Sequence, residues 1–497
     1  MKRRSFIKMS GLSASGILAS GSITALFSSC QKDYRLGLVT KPVIVVEGDF
    51  SNLLTFPNQS GANFTLTAQT TSANLKGNSV SVLGYQSNKL LGPTIRINKG
   101  DAVNILLQNN LSEPTNIHFH GLKVPAIMDG HPDQIVNGGS SFRYQFIVNQ
   151  RAGLSWYHPH PHGNTGKEVV QGLAGAFIIN DSEEAALNLP SDQYELPLII
   201  QDKLISSSGI QYNPSIKEIM AGYMGESVFV NGVFSPFTEV SARIYRLRIL
   251  NGSNARVYNL ALSNNDDITI IGNDGGLLKM PASVKEILIG PGERLDVLIN
   301  FSNTVIGTEI YLMSKEFLNG GNAQGKQNFK IMKFKVSMQS FSTFTLPVSL
   351  SDIPTISISS VVKSRTFEIS NAMEHHGVPM NNGMQMRHRI NGKLYLNTRI
   401  DETVAKNTNE IWVFDNSKGD EPHPMHLHGV FFQILERTKG RGNLLASESG
   451  WKDTVLVLPG EVVKVIIPFE NNTGKFVFHC HNLEHEDDGM MLQYQLS

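Results

Sequence analysis

Residues 479–490 read HCHNLEHEDDGM, and this stretch contains most of one metal's ligand set. Cysteine, two histidines and a weakly bound axial methionine form the ligand set of blue copper. Cys480, His485 and Met490 supply three of these ligands, and His423 is the best upstream candidate for the remaining histidine. The stretch therefore predicts a copper site near the end of the chain.

The residues on either side of Cys480 indicate a second metal site. Successive side chains of a β-strand point to opposite faces. If residues 479–481 form a strand, Cys480 faces one metal while His479 and His481 face another. Three consecutive residues then connect two copper sites, which suits an enzyme that collects single electrons at one site and uses them at the other.

Length and composition favour an all-β protein of about three domains. The 497 residues carry 43 basic and 43 acidic side chains, so nothing indicates binding to nucleic acid. Glycine (44) and proline (21) are plentiful, and short runs of β-branched and aromatic residues recur between them. Only two cysteines occur, which excludes a disulfide framework and leaves Cys480 as the one thiol of the predicted folded body.

Residues 1–30 read as an export signal. Arg3 and Arg4 open a twin-arginine pattern that is followed by a mildly apolar stretch, interrupted too often for a secure membrane span. This route predicts a periplasmic protein. The stretch before Cys30 also resembles a loose lipobox, so lipidation of Cys30, with membrane anchoring, and simple cleavage remain alternatives. We expect a monomer.

Turn clusters divide the rest of the chain into three strand-rich blocks, which we predict to be all-β sandwich or barrel domains at residues 40–180, 195–338 and 360–497. Residues 41–46 and 94–108 are typical strand runs, and residues 183–187 are the only plausible short helix. The middle block contains no histidine, so it cannot supply imidazole to a metal. We interpret it as a spacer between the outer two blocks.

The fifteen histidines are concentrated in four motifs of the outer blocks. Chance would supply about half an H-x-H pair in a chain of this composition, whereas the chain has five. On a strand, H-x-H places two imidazoles on one face. Eight histidines could hold three copper ions, and three coppers plus a remote fourth match the four electrons needed to reduce dioxygen to water. The motifs are HFH at 118–120, HPHPH at 158–162, HPMHLH at 423–428 and HCH at 479–481.

In these motifs and their order, the chain resembles the bacterial three-domain multicopper oxidases, the group of laccases and copper-efflux cuprous oxidases. The middle-block stretches GNDGG (272–276) and PGER (291–294) also resemble that family. The resemblance implies that the three blocks are consecutive cupredoxin-like Greek-key β-sandwich or barrel domains. It also implies four copper ions: a type 1 copper on His423, Cys480, His485 and Met490, a type 2 copper on His118 and His426, and a type 3 pair on His120, His158, His160, His428, His479 and His481. His162 matches a residue next to a ligand.

Two acidic residues match the family's proton donors to the copper cluster. Asp129 follows Met128, and Glu486 directly follows the predicted ligand His485. The alternative is that both are surface turn residues. The resemblance implies a catalytic role for both, because reduced dioxygen must be protonated.

Two classes of electron donor remain as alternatives: Cu(I), as in copper detoxification, and phenols or aromatic amines. Four methionines and three histidines fall within residues 373–388, and thioether is a soft ligand suited to Cu(I). An axial methionine also implies a weaker oxidant than some laccases. A third alternative is a non-catalytic cupredoxin scaffold. The candidate ligands of a substrate copper are Met373, Met380, Met384, Met386, Asp420 and Glu421.

Overall fold

The structure is a computed structural model and describes residues 41–340, 344–375, 384–470 and 472–497. The predicted export signal, Cys30 and Met380 lie outside these residues. From Thr40 to Ser497 the chain forms one compact unit. In the described ranges, no helix has the length and apolar character needed to cross a membrane.

Nine of the first ten strands build an N-terminal sandwich of a five-stranded and a four-stranded sheet around one apolar core. The strands are β1 (Asn52–Leu53), β2 (Gln59–Ser60), β3 (Asn63–Leu75), β4 (Asn78–Gly84), β5 (Thr94–Asn98), β6 (Ala102–Asn109), β7 (His118–His120), β8 (Ser141–Ile147), β9 (Gly153–His158) and β10 (Gly175–Asn180). The sheet orders are β2-β5-β10-β9-β7 and β4-β3-β6-β8, while β1 joins the next sandwich.

The middle sandwich pairs a seven-stranded sheet with a six-stranded one. Its strands are β11 (Glu195–Lys203), β12 (Ile205–Ser206), β13 (Gly209–Ile210), β14 (Ser227–Val230), β15 (Val233–Phe234), β16 (Pro236–Ala242), β17 (Ile244–Asn251), β18 (Tyr258–Leu262), β19 (Ile268–Asn273), β20 (Gly276–Val284), β21 (Ile287–Ile289), β22 (Arg294–Asn300), β23 (Glu309–Ser314) and β24 (Phe329–Gln339). The orders are β15-β14-β11-β17-β22-β19-β20 and β1-β16-β24-β23-β18-β21, and β12 pairs only with β13.

The C-terminal sandwich has two five-stranded sheets. Its strands are β25 (Val361–His375), β26 (Met384–Ile390), β27 (Glu402–Val404), β28 (Thr408–Asp415), β29 (His423–Leu427), β30 (Gln433–Thr438), β31 (Thr454–Val457), β32 (Val462–Phe469), β33 (Gly474–Cys480) and β34 (Met491–Leu496). The orders are β26-β25-β28-β32-β30 and β27-β34-β33-β29-β31.

The same mixed pairing recurs in each sandwich. A long early strand runs parallel to a later one, as β3 does with β6, β11 with β17 and β25 with β28. Hairpins alone give only antiparallel pairs, so each parallel pair requires a chain crossover. The predicted all-β class, with three cupredoxin-like sandwiches in succession, is confirmed.

Within the described ranges, four short helices connect the strands: α1 (Thr165–Gln171), α2 (Ser182–Ala185), α3 (Ile216–Ala221) and α4 (Leu483–Asp487). Only α2 overlaps the helix predicted at 183–187, so the prediction of a single helix was wrong. The others have five to seven residues, too few for a helical repeat of apolar residues to stand out. Single-turn 3-10 helices lie at Ala126–Met128, Asp192–Tyr194, Ile358–Ser360 and Ala446–Glu448.

The strand predicted at residues 41–46 does not form. The segment contacts the middle sandwich through single hydrogen bonds, from Val46 N to the Glu226 carbonyl (2.7 Å) and from Val45 N to Gln327 Oε1 (2.8 Å). Its β-branched residues satisfy strand propensity, but it has no strand partner and makes no ladder.

Candidate metal centre

Strand pairing brings the histidine motifs together two by two. In the N-terminal sandwich β7 pairs with β9, so that His118 lies opposite His158. In the C-terminal sandwich β29 pairs with β33, so that His426 lies opposite His479 and Met425 opposite Cys480. The two strand pairs face each other across the junction of the outer sandwiches, where their histidine rings stack.

Eight imidazoles meet at this junction, and each belongs to a residue at most 1% exposed. The rings of His118 and His428 stack with centroids 3.7 Å apart, and His120 and His426 stack at the same separation. Each stacked pair takes one ring from each outer sandwich. The eight residues are His118, His120, His158, His160, His426, His428, His479 and His481.

The ring nitrogens of this cluster fit metal ions. His479 Nε2 lies 3.2 Å from His160 Nε2 and 3.1 Å from His428 Nε2. Imidazole binds a metal at about 2 Å, which puts two ligand nitrogens about 3 Å apart. Nitrogens of five further rings have no hydrogen-bond partner among the described residues, although they are buried. Those atoms are His118 Nε2, His120 Nδ1, His158 Nε2, His426 Nε2 and both ring nitrogens of His481.

Electrostatics support the same fit. Burial lowers the pKa of His118, His158 and His479, and the neighbouring imidazoles lower it further. These rings are therefore neutral at physiological pH, which is the form that binds metals. Buried polar atoms without partners are costly unless something binds them, and metal cations match this set of donors.

A second group of ligand types surrounds Cys480. His423 Nδ1 lies 3.5 Å and His485 Nδ1 3.6 Å from the Cys480 sulfur. Burial raises the pKa of the Cys480 thiol, so a thiolate here requires a cation next to the sulfur. Met490 is fully buried in the same apolar core, and its carbonyl accepts a hydrogen bond from Cys480 N at 3.1 Å. The structure thus brings all four predicted residues to one end of β33.

His388 joins this group, although it was not among the residues singled out as ligands. Its ring lies 3.9 Å from the His485 ring and 4.9 Å from the His423 ring, measured between centroids. Both His388 Nε2 (2.8 Å) and His485 Nε2 (3.0 Å) bond to the carbonyl of Met220, at the end of α3. The outer edge of His485 is therefore covered by His388 and by the middle sandwich. Its position in the methionine-rich segment was the only sequence signal.

Asp129 and Glu486 contact different histidines of the eight-histidine cluster. Asp129 Oδ2 lies 2.7 Å from His428 Nδ1, and the Asp129 carbonyl lies 2.7 Å from His118 Nδ1. The Glu486 carboxylate lies 3.2 Å from His160 Nδ1 and 3.3 Å from His479 Nδ1. Both acids are at most 1% exposed, so the surface-turn alternative is wrong. Burial raises the pKa of both carboxyls.

One glycine allows this approach on the Asp129 side. Gly130 has φ = +76°, and a Cβ on it would lie 2.0 Å from the Ile117 carbonyl oxygen. Only glycine allows the turn to pass this close to the backbone of β7. The turn therefore holds Asp129 against His118.

The middle sandwich does more than separate the outer two. Arg294 of β22 is fully buried and donates to Asp453 Oδ1 at 2.7 Å, while Asp453 Oδ1 lies 3.1 Å from His120 Nε2. A Cβ on Gly292 would lie 2.9 Å from the His481 ring. The spacer interpretation is therefore incomplete. Asp453 gave no sequence signal, and Arg294 was noted only as part of the family-like stretch PGER, because the two residues of this ion pair lie 159 positions apart.

The candidate substrate-copper residues are partly placed. Met373 lies opposite Met386, and His375 opposite Met384, in the β25–β26 hairpin. Exposed Asp420 accepts a hydrogen bond from Asn371 Nδ2 at 2.8 Å. Glu421 is buried, and burial with the charge of Asp420 raises its pKa to about 8.

The remaining predicted neighbour of the ligands, His162, does not join either group. It is exposed, and its ring lies 4.8 Å from the Tyr395 ring, measured between centroids.

Comparison with known proteins identifies three matching family models, each described as multicopper oxidase. They cover residues 67–184, 155–335 and 367–497. The chain is 37% identical to the multicopper oxidase mco of Staphylococcus haemolyticus (88% of this chain, 90% of that one). It is 32% identical to a laccase of Bacillus subtilis (80% and 87%).

One solved structure, the McoA multicopper oxidase of Aquifex aeolicus, superimposes with a TM-score of 0.81 at 33% identity and covers 91% of this chain and all of that one. The chain is also 31% identical to the cell division protein FtsP of Escherichia coli (84% of this chain, 86% of that one). The matches thus include both oxidases and a protein named for cell division.

Proposed function

The chain belongs to the multicopper oxidase family, an oxygen-dependent group of oxidoreductases, and from that premise we propose that its electron donor is Cu(I). The observation that carries this proposal is the position of His388. With the Met220 carbonyl it covers the outer edge of His485, so a bulky aromatic donor has no direct contact with that ring. A small soft cation such as Cu(I) does not need direct contact with the His485 ring. The hairpin that carries His388 also carries Met373, Met384 and Met386, and thioether is a ligand suited to Cu(I).

The proposal includes four copper ions. One is held by His423, Cys480, His485 and Met490. His118 and His426 hold another, and the remaining six histidines of the cluster hold a pair. When bound, copper supplies one-electron steps that together deliver four electrons to dioxygen. The unpartnered ring nitrogens and the nitrogen separations near 3 Å support this count.

Two variants test the division into sites. Cys480→Ser should remove the blue colour and all oxidase activity, since the sulfur belongs to the site that receives electrons. His426→Ala should keep the colour but stop oxygen consumption. Visible absorption, copper content and oxygen uptake measure both variants. Full turnover by His426→Ala would show that the cluster assignment is wrong.

The identity of the donor is tested by replacing two methionines that lie opposite each other in the hairpin. The double variant Met373→Leu/Met386→Leu should lower kcat/KM for Cu(I) by about ten-fold or more, equivalent to about 1.4 kcal/mol. The kcat/KM for a phenol should change little. The matched control is Met280→Leu, because Met280 is an exposed methionine of the middle sandwich. Equal losses for both donors would contradict a Cu(I) role for the hairpin.

The laccase alternative is tested at His388 itself. His388→Ala uncovers the ring edge of His485 and should raise phenol oxidation while it lowers Cu(I) oxidation. If the phenol is already the better donor of the unaltered protein, the laccase alternative is favoured.

The similarity to a cell division protein keeps the non-catalytic scaffold as a second candidate. A copper-loaded chain that consumes no oxygen with either Cu(I) or a phenol would favour the scaffold over an oxidase.

For its location we propose export by the twin-arginine route to the periplasm as a monomer, with Cys30 either lipidated or removed. Arg3→Lys/Arg4→Lys should retain the protein in the cytoplasm, and Cys30→Ala should release any membrane-bound fraction. Export of the double variant at the normal level would contradict this route.

A further inference from the structure

A cavity of about 630 Å³ lies where the three sandwiches meet, and none of its lining residues is a predicted copper ligand. Lys123 and Arg151 line it from the N-terminal sandwich, and Gly275 lines it from the middle one. Phe431 and Trp451 line it from the C-terminal sandwich. Proteins bind small molecules in clefts of roughly 300–1,000 Å³, preferentially where domains meet. The cavity therefore has the size and the position of a small-molecule site.

Cationic side chains without an acidic partner converge on this cavity. Among the described residues, none of the three forms an ion pair with a carboxylate. Lys123 Nζ lies 5.3 Å from the centroid of the Phe431 ring, a contact that leaves its positive charge uncompensated. Lys406 is exposed to solvent, so it lies at the mouth of the cavity. The three cations are Lys123, Arg151 and Lys406.

Arg151 has a donor that the protein itself does not use. Its Nη2 donates to the Leu277 carbonyl at 3.3 Å, whereas its Nη1 is buried and has no hydrogen-bond partner among the described residues. Nearby carboxylates act on Arg151 from outside the lining, without forming an ion pair; they belong to Asp181, Glu183 and Asp352. Guanidinium matches the geometry of a carboxylate, so a ligand carboxylate is a suitable partner for this side chain.

The acidic residues of the lining do not cancel these positive charges. Asp274 is already occupied, because Lys452 Nζ lies 2.8 Å from its Oδ2 and Arg294 N donates to its Oδ1 at 2.8 Å. Glu470 is exposed and faces Lys123, yet burial still lowers the pKa of that lysine. A nearby negative charge favours the charged form of such a lysine. The cavity therefore favours an anion.

Two aromatic rings add an apolar wall to this cationic cavity. Phe431 is buried and Trp451 is half-buried. The Trp451 carbonyl accepts a hydrogen bond from Gly275 N at 2.8 Å, which fixes the backbone of this wall. A Cβ on Gly275 would lie 2.3 Å from Trp451 Cβ, so only glycine allows this approach. Aromatic rings favour contact with the ring of a ligand.

We propose that this cavity binds an aromatic carboxylate. The carboxylate of the ligand pairs with Lys123 and Arg151, and its ring lies against Trp451 and Phe431. An inorganic anion would leave the aromatic wall without a partner, and a neutral aromatic molecule would leave the cations unpaired. The site is separate from both groups of predicted copper ligands, so it does not depend on the identity of the electron donor.

Isothermal titration calorimetry of the full copper-loaded chain tests this class of ligand. The probe is naphthalene-2-carboxylate, and its control is naphthalene-2-carboxamide, which has a similar shape but no charge. The carboxylate should bind at one site per chain, at least about ten-fold more tightly than the carboxamide, and added salt should weaken it. Equal affinities for the two compounds, or no binding at millimolar carboxylate, would overturn the proposal.

Variants of the cations place the ligand in this cavity. Arg151→Met and Lys123→Met should each weaken the carboxylate by about ten-fold and leave the affinity for the carboxamide unchanged, because they remove charge from the cavity. Arg143→Met is the control, since Arg143 is an exposed arginine of the same sandwich outside the lining. Unchanged carboxylate affinity in both Arg151→Met and Lys123→Met would show that the compound binds elsewhere.

Two further variants cover the case in which the partly buried cations cannot be replaced without loss of folding. Lys406→Met, at an exposed position, should weaken the carboxylate by about three-fold. Trp451→Leu should weaken the carboxylate and the carboxamide alike, because it removes the ring contact and no charge. Unchanged affinities in both variants would overturn the assignment to this cavity. The measurements require no turnover, so their outcome is independent of the proposed oxidase function.

Discussion

A single arginine of the middle sandwich, Arg294, holds the carboxylate that orients His120. Its guanidinium also donates to the carbonyls of Gly292 (2.8 Å) and Leu154 (3.1 Å), so one side chain contacts all three sandwiches. Asp453 is fully buried, and the charge of Arg294 keeps its pKa well below the usual range. The geometry of the histidine cluster therefore depends on the ion pair of Arg294 with Asp453, neither of which is a metal ligand.

Arg294→Met should destabilise the copper-free protein by about 3–5 kcal/mol, because it leaves Asp453 charged and buried without its partner. Urea unfolding measures the loss. Arg294→Met/Asp453→Asn is the control and should recover part of it, since the uncompensated charge is removed. A loss below about 1 kcal/mol for the single variant would show that the ion pair does not stabilise the junction.

The position of the short helix α3 is explained by the residues at which it begins and ends. Ser215 caps it, because Ser215 Oγ accepts from Glu218 N and the Glu218 side chain accepts from Ser215 N at 2.7 Å. The helix ends at Gly222, where φ is +86° and a Cβ would lie 2.2 Å from the Ala255 side chain. These two signals fix the Met220 carbonyl at the point where His388 and His485 both bond to it.

Ser215→Ala should therefore loosen α3 without changing the rest of the fold. Loss of a serine cap costs about 1 kcal/mol, which corresponds to about a five-fold faster local opening. Hydrogen exchange at the amide of Ile219, bonded to the Ser215 carbonyl at 2.8 Å, measures this opening. Ser215→Asp keeps a capping oxygen and serves as the control. Equal protection in all three proteins would mean that packing alone holds the helix.

The whole molecule is joined at buried polar contacts between its sandwiches. Lys203 is fully buried at the end of β11 and donates to the Val170 carbonyl of α1 at 2.7 Å, which links the middle sandwich to the N-terminal one. Burial lowers the pKa of Lys203 to about 7, although Asp202 opposes the shift. The unfolded chain keeps the ordinary lysine pKa of about 10.4. Between these values the unfolded chain binds a proton that the folded protein lacks, so this residue makes the fold more stable as pH rises.

Lys203→Met should remove this pH dependence. The free energy of unfolding of the unaltered protein, minus that of the variant, should increase from pH 7 to pH 9 by at most about 1.4 kcal/mol per pH unit. Chemical unfolding at several pH values measures the difference. Lys217→Met, at an exposed position of α3, is the control and should show no such slope. Parallel pH curves for Lys203→Met and the unaltered protein would contradict the prediction.

The all-β class, the family and the residues that meet at the two sites all follow from the amino-acid sequence alone. This was possible because H-x-H and H-C-H are local patterns, and strand alternation alone says which of their side chains share a face. Helices α1, α3 and α4 were missed, since a few residues cannot display a helical period. Residues 41–46 were predicted as a strand from propensity, but pairing depends on a neighbour that no local pattern specifies.

Tertiary packing alone sets what surrounds the ligands. His388, the Met220 carbonyl and Asp453 gain their roles from partners that lie far away along the chain or on another element. Their environment is set by burial, and burial of a polar group follows from the packing of the sandwiches rather than from any pattern next to it. A few adjacent residues thus identify a ligand. Access to that ligand, and the carboxyl groups beside the histidine cluster, come from the assembly of the three sandwiches.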